Sequence, residues 1–314
     1  MYTKLFSFLS LLLGVFIAQG QQSKPKVMPA LELLSSYPKA RDFTISSSEN
    51  EAYFTLQSPL EEVSVIAFTQ KVDKKWSKPQ IAAFSGKYND LEPFLSPSGL
   101  QLYFASNRPM NEEHLSPKDY DLWYVERESL TATWSKPKCL PAPVNTSHNE
   151  FYPSVSNNGN LYFTSDSPKA KGKDDIFFSK RDGVAYNAPV SLPSAINTEG
   201  FEFNAFIAPD ESYLIFSGYN RKDGLGSGDL YISYKNKEGN WELAKNMTTV
   251  NSKYMDYCPF VHVASKTLYF TSRRSSITPN KKRSIEVFSK DVLSYENGYS
   301  RIYKVNLKSV FAKE

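Results

Sequence analysis

The sequence is poor in the residues that bind transition metals. It contains two cysteines and three histidines among 314 residues, and no Cys/His spacing suits a zinc site. The motifs HExxH, GxSxG and GxGxxG and the P-loop are also absent. The sequence therefore offers no apparatus for metal-dependent hydrolysis or serine catalysis, and we expect no cofactor.

Neither sign of charge is in excess. The chain has 37 Lys and Arg against 33 Asp and Glu, a formal net charge of +4. A balance this close does not indicate a nucleic acid or an anionic membrane as partner. We expect a mixed, solvated surface.

Long apolar runs are absent except near the start of the chain. Lys4 precedes an apolar run over residues 5–18, and Ala18-Gln19-Gly20 has the small-x-small form of a cleavage site. This pattern predicts a secretory signal peptide over residues 1–20. The run is shorter than the ~20 residues that a spanning helix needs, and no cysteine follows it for lipid attachment. We expect an exported monomer without a transmembrane segment, whether periplasmic, outer-membrane-associated or secreted.

What the chain does contain is a repeat. Residues 149–198 include four short β runs separated by turn residues, namely YPSVS, LYFTS, DIFFSK and APVSL. The second run returns near Tyr53, Tyr103, Tyr162, Ile215 and Tyr269, at spacings of 50, 59, 53 and 54 residues. A period near 50 with four strands per unit is typical of a β-propeller.

The repeat predicts an all-β fold with one propeller domain over residues 21–314. We expect five four-stranded antiparallel blades, with cores near residues 42–79, 90–146, 150–198, 202–251 and 256–308. Six blades are the alternative if residues 272–307, where SIEVFSK is a possible strand, hold a degenerate unit. The first two blades show WSKP at Trp76 and Trp134 as a fourth strand.

The two ends of the chain complement each other. The last unit has no fourth strand after its third run at RIYKVNL, whereas residues 29–34 precede the first unit unassigned. We expect residues 29–34 to supply the missing strand. This pairing would close the ring and remove an exposed sheet edge.

The cysteines are expected to be free. The repeat places Cys139 in an outer strand of the second blade and Cys258 in the inner strand of the fifth. Those blades are not neighbours, and a disulfide needs Cα atoms within about 7 Å. We expect both to be small buried apolar residues.

The repeated pattern P-x-x-S-x-x-G-x-x-[LY]-[YF]-F-[TA]-S, followed by D-[ILF]-[YFW], resembles the TolB-like β-propeller family, with its WD-like repeats of bacterial envelope proteins. The first blade departs most, since it has Glu62 at the Asp position and no turn glycine. The resemblance implies an exported binding or scaffolding module. The best-matching residues are Pro93, Ser96, Gly99, Tyr103, Phe104 and Asp121, then Pro153, Ser156, Gly159, Tyr162, Phe163 and Asp175, and finally Phe216 and Asp229.

Long loops mark one face of the predicted ring. Propeller connectivity places the loops between second and third strands on the same face as the linkers between blades. Here those loops are long, at residues 107–118, 166–173, 218–227 and 273–299, whereas the opposite turns are short. Function concentrates in long loops on a rigid scaffold. We therefore expect the binding site on this loop face, where His114 and His148 also lie.

Acids recur where the inner strands begin. Four of the five blades have one at this position, and the first has Ala40; the four are Asp90, Glu150, Glu202 and Asp256. We expect them to rim the central channel. They either cap the linkers by accepting backbone N–H bonds or form a binding site for a cation or a basic ligand group, and both roles can coexist.

Other recurring residues are interpreted as structural. Asp121, Asp175 and Asp229 open the third strands and are expected to hold the preceding loops by backbone hydrogen bonds. His262 is expected to pack within an inner strand. The tryptophans at 76, 134 and 241 are expected to pack between blades rather than to bind sugar.

Two functions remain open. The favoured one is a non-catalytic exported propeller that binds a protein or peptide of the cell envelope. The alternative is a glycoside hydrolase or lyase that uses the rim carboxylates, since acids about 5 to 10 Å apart can cleave glycosides. Equivalent repeat positions count against catalysis, which needs acids in different environments.

Overall fold

Five small antiparallel sheets form a ring in the computed structural model, which describes residues 25–110 and 119–308. Each sheet is one blade of a β-propeller. The prediction of an all-β, five-bladed propeller is confirmed. The expected signal peptide and His114 lie outside the described residues.

The blades share one strand order, from an inner strand at the channel to an outer strand at the rim. From inner to outer, the strands are Ala40–Ile45, Glu51–Gln57, Ser64–Val72 and Gln80–Ile81 in blade 1; Asp90–Leu95, Gln101–Ser106, Asp121–Glu126 and Lys138–Cys139 in blade 2; Glu150–Val155, Leu161–Ser165, Asp175–Ser179 and Val190–Ser191 in blade 3; Phe201–Ile207, Tyr213–Tyr219, Gly228–Tyr234 and Lys245–Asn246 in blade 4; and Asp256–His262, Thr267–Ser272, Arg301–Asn306 and Met28–Pro29 in blade 5.

Short elements complete the chain. Lys75–Trp76 folds back on the third strand of blade 1, and Arg181–Asp182 pairs with Ala185–Tyr186 at the edge of blade 3. A 3-10 helix covers Glu32–Ser36, and an α-helix covers Ile285–Leu293. No helix among the described residues is long and apolar enough to cross a bilayer.

Every inner strand contains a β-bulge at the same place. The register between the inner and second strands skips there, and one residue takes a left-handed backbone conformation. These five residues and their φ angles are Asp42 (57°), Glu92 (61°), Tyr152 (47°), Asn204 (52°) and Cys258 (53°). Because each blade bends at this point, side chains from different blades meet at the ring axis.

The N-terminal segment closes the ring as expected. Met28 pairs with Lys304 and Pro29 with Tyr303, and the N–H of Ala30 donates to Ile302 O at 2.9 Å. The paired residues begin one position before the predicted segment, and its second half forms the 3-10 helix instead. Closure places the first and the last described strands in blade 5 and covers the edge of its third strand.

The six-bladed alternative does not hold, and the outer strands of two blades were misplaced. SIEVFSK belongs to an α-helix, where the Ser284 side chain caps the N–H of Val287, and the described part of residues 272–307 forms no sixth blade. The outer strands of blades 1 and 2 follow WSKP rather than include it. Proline has no N–H for the ladder, so pairing starts after Pro79 and Pro137.

The core consists of aromatic and aliphatic side chains between adjacent blades. Trp76, Trp134 and Trp241 pack against these clusters, as expected. Neither cysteine forms a disulfide within the described residues; Cys258 is buried as expected, whereas Cys139 is only half-buried.

Candidate functional site

A pocket of about 350 Å³ opens at the channel on the loop face. The inner strands supply a ring of lining residues near their first residues, namely Arg41, Leu91, Phe151, Phe203 and Tyr257. The loops add Tyr120, Asp174 and Arg273. This channel mouth therefore combines aromatic side chains with charges of both signs.

A polar network of bulge residues forms the floor of the channel mouth. Arg41 donates through Nε to Asp42 at 2.8 Å and through Nη2 to Glu92 at 3.0 Å. Glu92 also accepts the N–H of Tyr152 at 2.7 Å and the Nδ2 of Asn204 at 3.3 Å. One carboxylate thus connects four blades.

Burial determines the protonation of this network. It raises the pKa of Glu92 to about 7, while the Arg41 guanidinium acts in the opposite direction. Burial also raises the pKa of the Cys258 thiol, which donates to Asn204 Oδ1 at 3.3 Å. This network could not be predicted from the sequence, because its members share a backbone position rather than a residue type.

The four predicted rim acids are almost fully buried, with exposed fractions of 0 or 1%. They begin the inner strands as predicted, but they are not among the residues that line the channel mouth. Glu150, Glu202 and Asp256 each accept the backbone N–H and the hydroxyl of the residue four positions earlier. Asp90 accepts the hydroxyl of Ser85 at 2.7 Å. These contacts are those of linker caps; a ligand-binding role for the acids stays a prediction.

Arginines neutralise three of these acids within their own blades. Arg108 lies 2.5 Å from Asp90, Arg221 lies 2.8 Å from Glu202, and Arg274 lies 3.3 Å from Asp256. Sequence reasoning missed these arginines. Each lies two or three residues after a serine or glycine near the end of the second strand, namely Ser106, Gly218 and Ser272.

Glu150 differs from the other three acids. Its blade has Ser167 at the position of the arginine, so the hydroxyl and N–H of Thr146 are its hydrogen-bond donors. Burial raises the pKa of Glu150 to about 7, the Thr146 bonds lower it, and the charges of Asp121 and Asp119 raise it further. Blade 3 thus contains a buried acid of unusually high pKa.

The aspartates that open the third strands contact their loops. Asp175 accepts the N–H groups of Lys171 and Gly172, and Asp229 accepts those of Leu225 and Gly226. The loop before Asp121 includes residues 111–118, which are outside the described part of the chain.

The other end of the channel is apolar. A pocket of about 310 Å³ is lined there by Phe94, Phe206 and Phe260, whose rings contact one another. His262 borders this pocket and is buried, with Nδ1 2.7 Å from Ser265 Oγ and Nε2 3.1 Å from Ser47 O. His148 lies on the loop face, 3.9 Å from Asp166.

No group of three or more His, Cys, Asp or Glu side chains within residues 25–110 and 119–308 is arranged to hold a metal ion. The candidate site of the described chain is the loop face, where the channel mouth combines aromatic and charged side chains. Such a site can bind polar and aromatic groups.

Solved structures share this architecture. The catalytic domain of a GH62 α-L-arabinofuranosidase from Coprinopsis cinerea has a TM-score of 0.51 at 10% identity, over 88% of this chain and 93% of that one. A GH62 hydrolase in complex with xylotriose has a TM-score of 0.50 at 10% identity, over 86% and 92%. At such low identity the likeness shows the propeller fold alone.

TolB from Acinetobacter baumannii is also similar, with a TM-score of 0.45 and 11% identity over 84% of this chain. The chain spans about half of TolB, 54% of its length. Neither a protein-family model nor a curated protein sequence matches the chain. The TolB-like family therefore remains a resemblance.

Proposed function

We propose that the chain is an exported, non-catalytic propeller that binds a protein or peptide partner through its loop face. The observation that carries this proposal is the helix Ile285–Leu293, which lies in the loop between the second and third strands of blade 5. None of its residues is buried. Ile285, Phe288 and Leu293 are 69%, 52% and 79% exposed. Clustered exposed apolar side chains are characteristic of interaction surfaces.

The channel mouth supports the same function. The guanidinium groups of Arg41, in the floor, and Arg273 lie 5.3 and 5.9 Å from the centroid of the Tyr257 ring, and Phe151 and Phe203 line the same mouth. Aromatic residues and arginines are the side chains most enriched where protein interfaces concentrate their binding energy. The mouth and the helix belong to one stretch of the chain, because Arg273 lines the mouth and begins the loop that contains the helix.

The test is capture of a partner from an envelope extract by the wild-type protein and two variants. Phe288→Glu places a charge on the helix without disturbing a buried side chain. Val184→Glu is the matched control, since Val184 is 93% exposed in the hairpin at the edge of blade 3. We expect Phe288→Glu to lose the captured partner and Val184→Glu to retain it, as read by mass spectrometry. Equal capture by both variants would contradict the proposal.

The alternative function is a carbohydrate-active enzyme. The observation in its favour is the high pKa of Glu92 at the channel floor, because raised carboxyl pKa values often mark general acids. Against it, both oxygens of Glu92 accept hydrogen bonds from other blades. Polysaccharides and aryl glycosides should show no turnover. Turnover that disappears in Glu92→Gln, Glu150→Gln or Glu202→Gln would replace the binding function with this one.

A further inference from the structure

Three blades hold an arginine in the same pocket at the loop face. Each arginine reaches back to the acid that begins the inner strand of its own blade. Its Nη2 also donates to the carbonyl oxygen of the linker residue six positions before that acid. The three sets of arginine, acid and carbonyl are Arg108, Asp90 and Phe84; Arg221, Glu202 and Ile196; and Arg274, Asp256 and Val250.

Two aromatic rings complete each pocket. They face each other from the second and third strands, and the guanidinium carbon lies over both of them. Its distances to the two ring centroids are 5.0 and 5.4 Å for Phe104 and Trp123, 5.2 and 4.5 Å for Phe216 and Tyr231, and 5.3 and 5.4 Å for Phe270 and Tyr303.

Blade 3 keeps the pocket without the arginine. Glu150 is its acid, Val144 is the linker residue six positions earlier, and Phe163 pairs with Phe177 across the two strands. The ring centroids are 5.9 Å apart and inclined by 25°, as in the ring pair of blade 4. The ring geometry therefore does not depend on a guanidinium from the same chain.

Ser167 occupies the position of the arginine. Its N–H donates to Ser165 Oγ at 3.2 Å, as the N–H of Arg108 donates to Ser106 Oγ at 3.3 Å, so the backbone turns alike. Because serine is short, a cavity of about 30 Å³ remains beside Glu150. A cavity needs about 10–15 Å³ to hold one water, so this one suits a small planar group and excludes a sugar ring.

Blade 1 shows that the pocket is not a general property of the ring. Its acid position holds Ala40, and Phe54 faces Ala67 instead of a second ring. Blade 1 therefore lacks both the acid and the second ring that hold the guanidinium in blades 2, 4 and 5.

We propose that blade 3 binds a guanidinium group from outside the chain, carried by an arginine side chain of a protein or peptide partner. The Glu150 carboxylate would pair with the guanidinium, and Phe163 and Phe177 would stack on it. For the source of the arginine this inference rests on the proposed function.

The charges around the cavity are of both signs. Asp119 and Asp121 act electrostatically on Glu150 and add to the negative potential that attracts a cation. Lys169 also lines the cavity and is exposed, so its ammonium is the competing cation from within the chain. The test must distinguish these two sources of positive charge.

The probes are acetyl-arginine amide and methylguanidinium, followed by amide chemical shifts in NMR titrations of the whole protein. Acetyl-citrulline amide is the uncharged control of nearly the same shape. We expect both guanidinium probes to shift the amides of Ser165, Ser167 and Thr146, and citrulline to shift none of them. Shifts with the arginine amide but not with methylguanidinium would overturn a pocket specific for the guanidinium group.

Two variants test the pocket itself. Glu150→Gln removes the charge and should weaken binding by about tenfold or more. Ser167→Arg gives blade 3 the arginine that the other three blades have. This variant should therefore lose probe binding, and its melting temperature should rise. Probe binding that survives Ser167→Arg would contradict the proposal. A wild-type protein that binds no probe, together with a Lys169→Met variant that does, would also contradict it, because the Lys169 ammonium would then be the cation that occupies the pocket.

These results are independent of the helix. Failure of the probes together with loss of partner capture in Phe288→Glu would reject the guanidinium pocket and leave the proposed function in place. Probe binding without any captured partner would support the guanidinium pocket and reject the proposed function.

Discussion

Glu92 and Glu150 are chemically identical side chains whose burial raises both pKa values to about 7. Their surroundings separate them. Glu92 lies beside the Arg41 guanidinium and accepts bonds from two other blades. Glu150 has hydroxyl and amide donors and acidic neighbours. Of the two carboxylates, Glu150 is the one whose negative charge is less compensated by its surroundings.

The raised pKa of Glu150 gives a stability prediction. In the unfolded chain a Glu titrates near 4.3, so between about pH 4.5 and 7 the folded protein binds more protons than the unfolded one. The free energy of unfolding should therefore decrease as pH rises through this window. Glu150→Gln should remove the share of this decrease that comes from Glu150, while the share from Glu92 stays, and should stabilise the protein by about 1 to 3 kcal/mol at pH 8.

Urea denaturation between pH 4 and 8 measures this effect. Glu199→Gln, at an exposed position in the linker to blade 4, serves as the control and should leave the profile unchanged. A wild-type profile that rises between pH 5 and 7, with the same slope in Glu150→Gln, would show that Glu150 is ionised throughout.

At the scale of elements, closure of the ring gives the next prediction. A chain that begins at residue 35 loses the Met28–Pro29 strand and the buried side chains of Ala30 and Leu34. A chain that begins at residue 25 keeps them and is the control. We expect the shorter chain to melt about 5 to 10 °C lower, because a buried Leu alone contributes about 2 to 5 kcal/mol. Equal melting temperatures would mean that the strand contributes nothing to the ring.

The strands that the sequence predicted best are the second and third of each blade. They are five to nine residues long and rich in aromatic residues, and the second-strand motif returns about every 50 residues, which is the signal that located them. The outer strands are only two residues long, and no periodicity exists over two residues. SIEVFSK was open as a possible strand because a short apolar run fits both periods, and it belongs to the helix Ile285–Leu293.

The residues of the site also differ in whether the sequence could predict them. Asp90, Glu150, Glu202 and Asp256 could be found because one chemical type recurs at one position. The channel floor could not, since Asp42, Glu92, Tyr152, Asn204 and Cys258 have only a left-handed backbone in common. The arginine pockets have a sequence signal, an arginine shortly after the second strand in blades 2, 4 and 5, which is recognisable only when it is compared with the positions of the acids.

At the scale of the whole molecule, the ring has two unlike faces. One carries the channel mouth, the long loops and the exposed helix. The other has short turns around an apolar pocket. The blades form a rigid scaffold because each sheet packs on its neighbours, so variation in the loops can change the partner without changing the fold.

Binding through the loop face is the central claim, and hydrogen exchange of the protein with and without its captured partner tests it most directly. We expect protection at residues 166–174 and 273–299 and at the start of the inner strands. The turns at residues 157–159, 209–212 and 263–266, on the opposite face, should exchange at unchanged rates. Protection confined to those opposite turns would contradict the account.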